Sequence, residues 1–129
     1  MFLNLETYYI CSPMKSYFKK FFNTLFLPDA IKFIDGLDSS VIRKIFYIID
    51  QAEHSRDPKI FKKIDDDIWE FRIRYLGLQI RILAFWDKTN KSQTLVIACH
   101  GFIKKVDKVP IEEIKRAIYL RKKYFNEKR

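Results

Sequence analysis

Between Ile68 and Tyr75 apolar and charged side chains alternate. Trp69, Phe71, Ile73 and Tyr75 hold one set of positions, and Glu70, Arg72 and Arg74 hold the other. A period of two belongs to a β-strand, whose successive side chains point to opposite sheet faces. The segment therefore predicts a strand with one apolar face and one charged face. Beyond a short turn at Gly77, Leu78 to Trp86 predicts a second strand, which carries Arg81. Asp87 to Ser92 is polar and predicts the next turn. Thr94 to Gly101 is an almost unbroken apolar run, as expected of a strand covered on both faces.

Upstream of Pro58 the period is helical. Ala30, Ile31, Phe33, Ile34 and Leu37 recur at helical spacing, and Gly36-Leu37-Asp38 closes the segment. Asp38-Ser39-Ser40 offers N-cap oxygens to a second helix, striped by Val41, Ile42, Ile45, Ile48, Ile49 and Ala52. The two predict an αα-hairpin. A last helix is predicted from Pro110, with Glu112 and Glu113 at its positive end and Ile111, Ile114, Ile118 and Phe125 as its buried stripe. The stretch from Phe2 to Leu27 admits two readings, a strand ending near Leu27 or a basic amphipathic helix for a membrane surface or partner. Aromatic enrichment favours a strand over Phe21 to Phe26. Residues 1–13 read as an N-terminal extension and 14–129 as one domain. The order β-α-α-β-β-β-α predicts an α+β fold: a small antiparallel sheet flanked by the αα-hairpin and the C-terminal helix.

Composition narrows the class of partner. A chain of 129 residues can bury a core without metal or disulfide staples, and 48% hydrophobic content excludes a disordered chain. Lys and Arg number 25 against 16 acids, a net charge of +9. That is the footprint of a polyanion binder, because each neutralised phosphate releases counterions; the same charge also keeps a small protein dispersed. Cys11 and Cys99 define no disulfide framework, and no CxxC pair points to zinc. No stretch approaches the roughly 20 apolar residues of a membrane span. Met1 to Ile10 carries Glu6 and lacks the basic start of a signal peptide. A cytoplasmic protein without stable membrane association is expected.

The sequence lacks the GxxxxGK[ST], GxSxG and HExxH patterns. His54 and His100 are distant, and no His, Cys and carboxylate cluster has metal-ligand spacing. Asp65-Asp66-Asp67 is expected in a solvated turn rather than on magnesium, and His54 as a structural charge ending the second helix. What remains is a set of cations. Arg72 and Arg74 share a strand face, Arg81 lies across a short hairpin, and the last strand leaves through His100-Gly101-Phe102-Ile103-Lys104-Lys105. Arginines of this kind grip phosphates bidentately, lysines add point charges, and Phe102 offers a ring for a splayed base. The same residues equally allow Glu70 to pair with the arginines as a solvated face.

In order along the chain, Lys62-Lys63-Ile64, Ile68 to Arg74, Ile80-Arg81-Ile82-Leu83, His100 to Lys105, Lys108-Val109-Pro110 and Glu112 to Ala117 resemble the phage-derived HigB-like toxins of the RelE-like mRNA interferase superfamily. Phe33-Ile34-Asp35-Gly36-Leu37 is similar to that family's first helix and its end. The resemblance runs from about Pro28 to Phe125, some three quarters of the chain. It implies a RelE-like fold and a toxin that cleaves mRNA on the ribosome. In that reaction the ribose 2′-OH attacks the adjacent phosphate without metal or cofactor, leaving a 2′,3′-cyclic phosphate and a 5′-OH. It also implies a cognate helix-turn-helix antitoxin. By the resemblance Arg81 is expected as phosphate clamp, Arg72 and Lys104 as charge stabilisers, and Lys105 as the second member of the basic pair after the last strand. His100 is the candidate for proton transfer, with Lys63 and Glu70 behind it; its parity with Val96 and Ala98 equally suits a core histidine. Lys63, Arg74, Phe102 and Lys108 are expected on the RNA. The alternative is a non-catalytic RNA- or ribosome-binding protein, or a partner-interaction module.

Overall fold

A computed structural model describes residues 19–90 and 94–128. The expected extension, residues 1–13, and Met14 to Phe18 lie outside the described residues. The elements are β1 (Asn23–Phe26), α1 (Pro28–Asp35), α2 (Ser39–Ser55), β2 (Phe61–Lys63), β3 (Trp69–Tyr75), β4 (Leu78–Asp87), β5 (Leu95–Ile103) and α3 (Ile111–Glu127). The class is α+β, as expected, and the arrangement fits a small RelE-like fold. Among the described residues five strands form one sheet in the order β1-β5-β4-β3-β2.

Two features depart from the expectation. The sheet is mixed, because β1 pairs parallel with β5 while every other pairing is antiparallel. Three successive reversals after β2 bring β5 back in the direction of β1, so the first strand joins the last on a parallel edge. The second is β2, whose three residues are too few to show a period; Phe61 alone is buried.

Helices cover both faces. Against one face α1 and α2 pack Ile34, Ile45, Phe46 and Ile49 onto Phe71, Ile73, Ile80 and Ile82. Against the other, α3 packs Ala117 onto Leu83, Phe85, Ile97 and Cys99. The apolar set of β3 therefore faces the αα-hairpin, and its charged set shares a face with α3. Within α3 the expected stripe holds for Ile118 and Phe125, which pack on that face, and Ile114 is half-buried, but Ile111 is 64% exposed. It lies in the first turn, roughly 60° around the helix from Ile114. Pro110 stands just before α3, and Asp38 precedes α2 without a side-chain capping bond.

The ends are pinned by polar contacts. Burial alone would raise the Asp87 carboxyl, but hydrogen bonds from Lys128 Nζ (2.6 Å), Thr89 and Tyr124 Oη (2.6 Å) overcome it and hold the group well below the carboxylate range. This fixes the end of α3 to the end of β4. At the other side Thr24 Oγ1 donates to Glu53 Oε2 at 2.7 Å, tying β1 to α2. Gly101 is required by close approach: a Cβ there would stand 2.4 Å from the ring of Phe33.

Candidate functional site

The charged face of β3 does not lie open to water. Arg72 stands directly opposite Arg81, and Arg81 in turn opposite Phe102 on β5. Two like charges so placed repel, and Glu70 answers both. Its Oε1 lies 3.3 Å from Arg81 Nε and its Oε2 lies 3.6 Å from Arg72 Nε. Glu70 is 3% exposed and Arg81 only 2%. Arg81 also donates to the carbonyl of Ile80 at 3.2 Å and to Gln79 Oε1 at 3.4 Å. Burial lowers the Arg81 guanidinium from its usual value; Glu70 opposes this, and Arg72 and Arg74 add to it. The pairing of Glu70 with arginines is thus present, but as a buried network rather than a solvated face.

Lys104 completes the group. Its backbone N–H donates to the carbonyl of Gln79 at 2.7 Å, which brings the exit of β5 beside the start of β4. Its ammonium is lowered by partial desolvation and then by Arg81, with Glu70 opposing and Arg72 adding. Arg72 and Arg81 are therefore ion-paired to one carboxylate, and Lys104, from a third stretch of chain, stands beside them next to Gln79. Arg72 keeps about a third of its side chain open, and Lys104 is half-buried. Arg74 is exposed on the same face, and Phe102 lies half-buried opposite Arg81. Lys105 and Lys108 are exposed on the segment that leads to α3.

Two expected residues stand apart. Lys63 is the cross-strand partner of Trp69 and belongs to the αα-hairpin face; its neighbour Lys62 stands opposite Glu70. His100 is 1% exposed, with Nε2 3.0 Å from the carbonyl of Glu113 on α3 and Nδ1 3.7 Å from the Glu113 carboxylate. Burial holds its imidazole below the usual histidine value. The parity with Val96 and Ala98 does not hold. Ala98 pairs with Ala84 and His100 with Leu83, so Cys99 is an extra, unpaired residue. This bulge turns Cys99 and His100 to the α3 side together. Cys99 Sγ donates to the Leu83 carbonyl at 3.1 Å, and burial pushes its thiol up to about 12.

Neither Gln79 nor the place of Lys62 opposite Glu70 was legible as part of the site. Parity with Arg81 was a usable signal for Gln79; the two-residue step from Phe61 to Lys63 gave none for Lys62. Asp65, Asp66 and Asp67 are exposed in a bend, with Asp67 3.8 Å from Arg121. Among the described residues Asp50, Glu53 and His54 lie close enough together to hold a cation. Their groups are engaged within the protein: Glu53 by Thr24 and Lys20, and His54 Nδ1 by the Asp50 carbonyl at 2.8 Å.

The model of the phage-derived Gp49-like proteins (DUF891) matches residues 32–122, about seven tenths of the chain. The chain belongs to that family. The matched span runs from α1 into α3 and includes Glu70, Arg72, Arg81 and Lys104. The Gp49-like family is related to the toxins of toxin–antitoxin pairs. No curated protein matches the chain. Among the described residues no helix is long and apolar enough to cross a membrane.

Proposed function

We propose that this Gp49-like protein is the toxin of a type II toxin–antitoxin pair, a HigB-like, RelE-like endonuclease that cuts mRNA on the ribosome. The observation that supports this best is the pairing of Arg72 and Arg81 on Glu70, with Lys104 held beside them next to Gln79. The RNA supplies its own nucleophile. A bond forms between the 2′-oxygen and phosphorus, the bond from phosphorus to the 5′-oxygen breaks, and charge builds on the non-bridging oxygens. Preorganised cations meet that charge best where water is partly excluded. Arg72, open on one side and held by Glu70 on the other, takes the phosphate. Lys104, whose ammonium gives up its proton more readily than a free lysine, moves the proton between the 2′-oxygen and the leaving 5′-oxygen. Arg81 is too buried to reach a phosphate and acts through Glu70 as a positioning residue. His100 holds β5 against α3.

Around this centre Arg74, Lys105 and Lys108 contact the RNA backbone, and Phe102 stacks on a base. The partner is a helix-turn-helix antitoxin that covers the cationic face, in the cytoplasm where translated mRNA is found. A second reading, a non-catalytic RNA- or ribosome-binding module, draws on the burial of both Glu70 and His100. Expression in growing cells separates the two. Wild type is expected to arrest growth and leave mRNA fragments with 5′-OH ends, and Lys104→Ala to abolish both. Growth arrest with intact mRNA would overturn the nuclease reading.

A further inference from the structure

At the other end of the sheet, where β4 turns toward β5, a cleft of about 1150 Å³ opens. Its floor is aromatic. Phe61 stacks on Trp69 with centroids 5.0 Å apart, and Trp69 meets Trp86 edge-on at 5.6 Å. Its rim is cationic, with Arg56, Lys62, Lys63, Lys88 and Arg121 among the lining residues. Asp66 and Asp67 also line it, and Arg121 is paired with Asp67. Lys62, Lys63 and Lys88 are exposed, and no acid lies within ion-pair distance of them among the described residues.

Half-buried indole rings bordered by exposed lysines match the two chemical features of an unpaired nucleotide. An apolar peptide would gain nothing from the lysines. The short edge strand β2 joins this cleft to the site above, because Lys62 stands opposite Glu70 and Lys63 opposite Trp69. Along β3, Trp69 and Arg72 are three residues apart, roughly 10 Å at ~3.3 Å per residue.

We propose that the cleft binds single-stranded RNA, one base on the Trp69–Trp86 floor and the flanking phosphates on Lys62, Lys63 and Lys88. The strand then passes around the β2 edge to Arg72. The choice of RNA rests on the cleavage reading; the fit to a base with phosphates rests on the cleft alone.

The chain has two tryptophans, and both line the cleft, so its own fluorescence reports occupancy. The probe is a six-nucleotide 2′-O-methyl RNA, whose blocked hydroxyl prevents cleavage, titrated into the full-length protein. Saturable quenching is expected, with the apparent Kd weakened at least tenfold in Lys63→Glu/Lys88→Glu, whose thermal midpoint should match wild type. Arg72→Ala should keep the amplitude of the quench. No quenching at saturating oligonucleotide, or equal quenching in the charge-reversed protein, overturns the proposal. Quenching without cleavage of translated mRNA by wild type would remove the nuclease reading and leave the cleft intact.

Discussion

Arg72 and Arg81 face each other across β3 and β4, and the buried carboxylate of Glu70 is ion-paired with both. Removing that carboxylate leaves two guanidinium groups opposed with no counter-charge. Breaking a buried pair costs far more than the pair itself contributes, because an uncompensated charge remains. Glu70→Ala is expected to lose about 3–5 kcal/mol in urea denaturation. A loss under 1 kcal/mol would show that water already screens the arginines.

Arg72 and Arg81 should separate by what they do. Arg72→Ala removes a partly open cation and is expected to lower cleavage on programmed ribosomes by about 100- to 1000-fold, with a small change in stability. Arg81→Ala should cost both stability and cleavage. If Arg81→Ala folded like wild type and failed only in cleavage, Arg81 would be the phosphate contact after all.

How much of this was legible in the sequence depended on the kind of signal. The alternation from Trp69 to Tyr75 and the stripes of α1 and α2 are repeated patterns, and each marked its element and its buried face. Burial of Glu70 and Arg81 was not legible. Charged residues on a strand read as a surface until the neighbouring strands and their side chains are known to enclose them. The bulge at Cys99 was hidden for the opposite reason: in a run apolar on both faces, an extra residue changes no pattern. It reversed the face assigned to His100.

Acid should loosen the C-terminal helix first. The Asp87 carboxyl sits lower in the folded protein than its unfolded value of 3.8. Its contribution is therefore complete above that value and is lost as pH falls toward the folded value. Between about pH 5 and pH 2, wild type should lose stability that Asp87→Asn lacks already at pH 7. The gap between the two proteins, about 2 kcal/mol at neutral pH, should narrow in acid. A constant gap in urea titrations across that range would contradict this.

Gly101 and Phe33 form a testable pair. Gly101→Ala places a methyl group against the Phe33 ring and is expected to cost about 1–3 kcal/mol. Phe33→Ala opens the space, so the double variant should be more stable than the two single losses predict. Simple additivity in a double-mutant cycle would deny the contact.

The parallel pairing of β1 with β5 sets the order in which the molecule can be completed. Its register joins Asn23 to Leu95 and Phe26 to Ala98, the first strand to the last. A ribosome making this chain must pass Ala98 before that edge can close. The hairpins of β2, β3 and β4 can form early; β1 waits. Contacts so distant in sequence fold slowly, and Lys104 lies beyond the strand that completes them. Until residue 104 has been made, a nascent copy therefore lacks its assembled cationic centre.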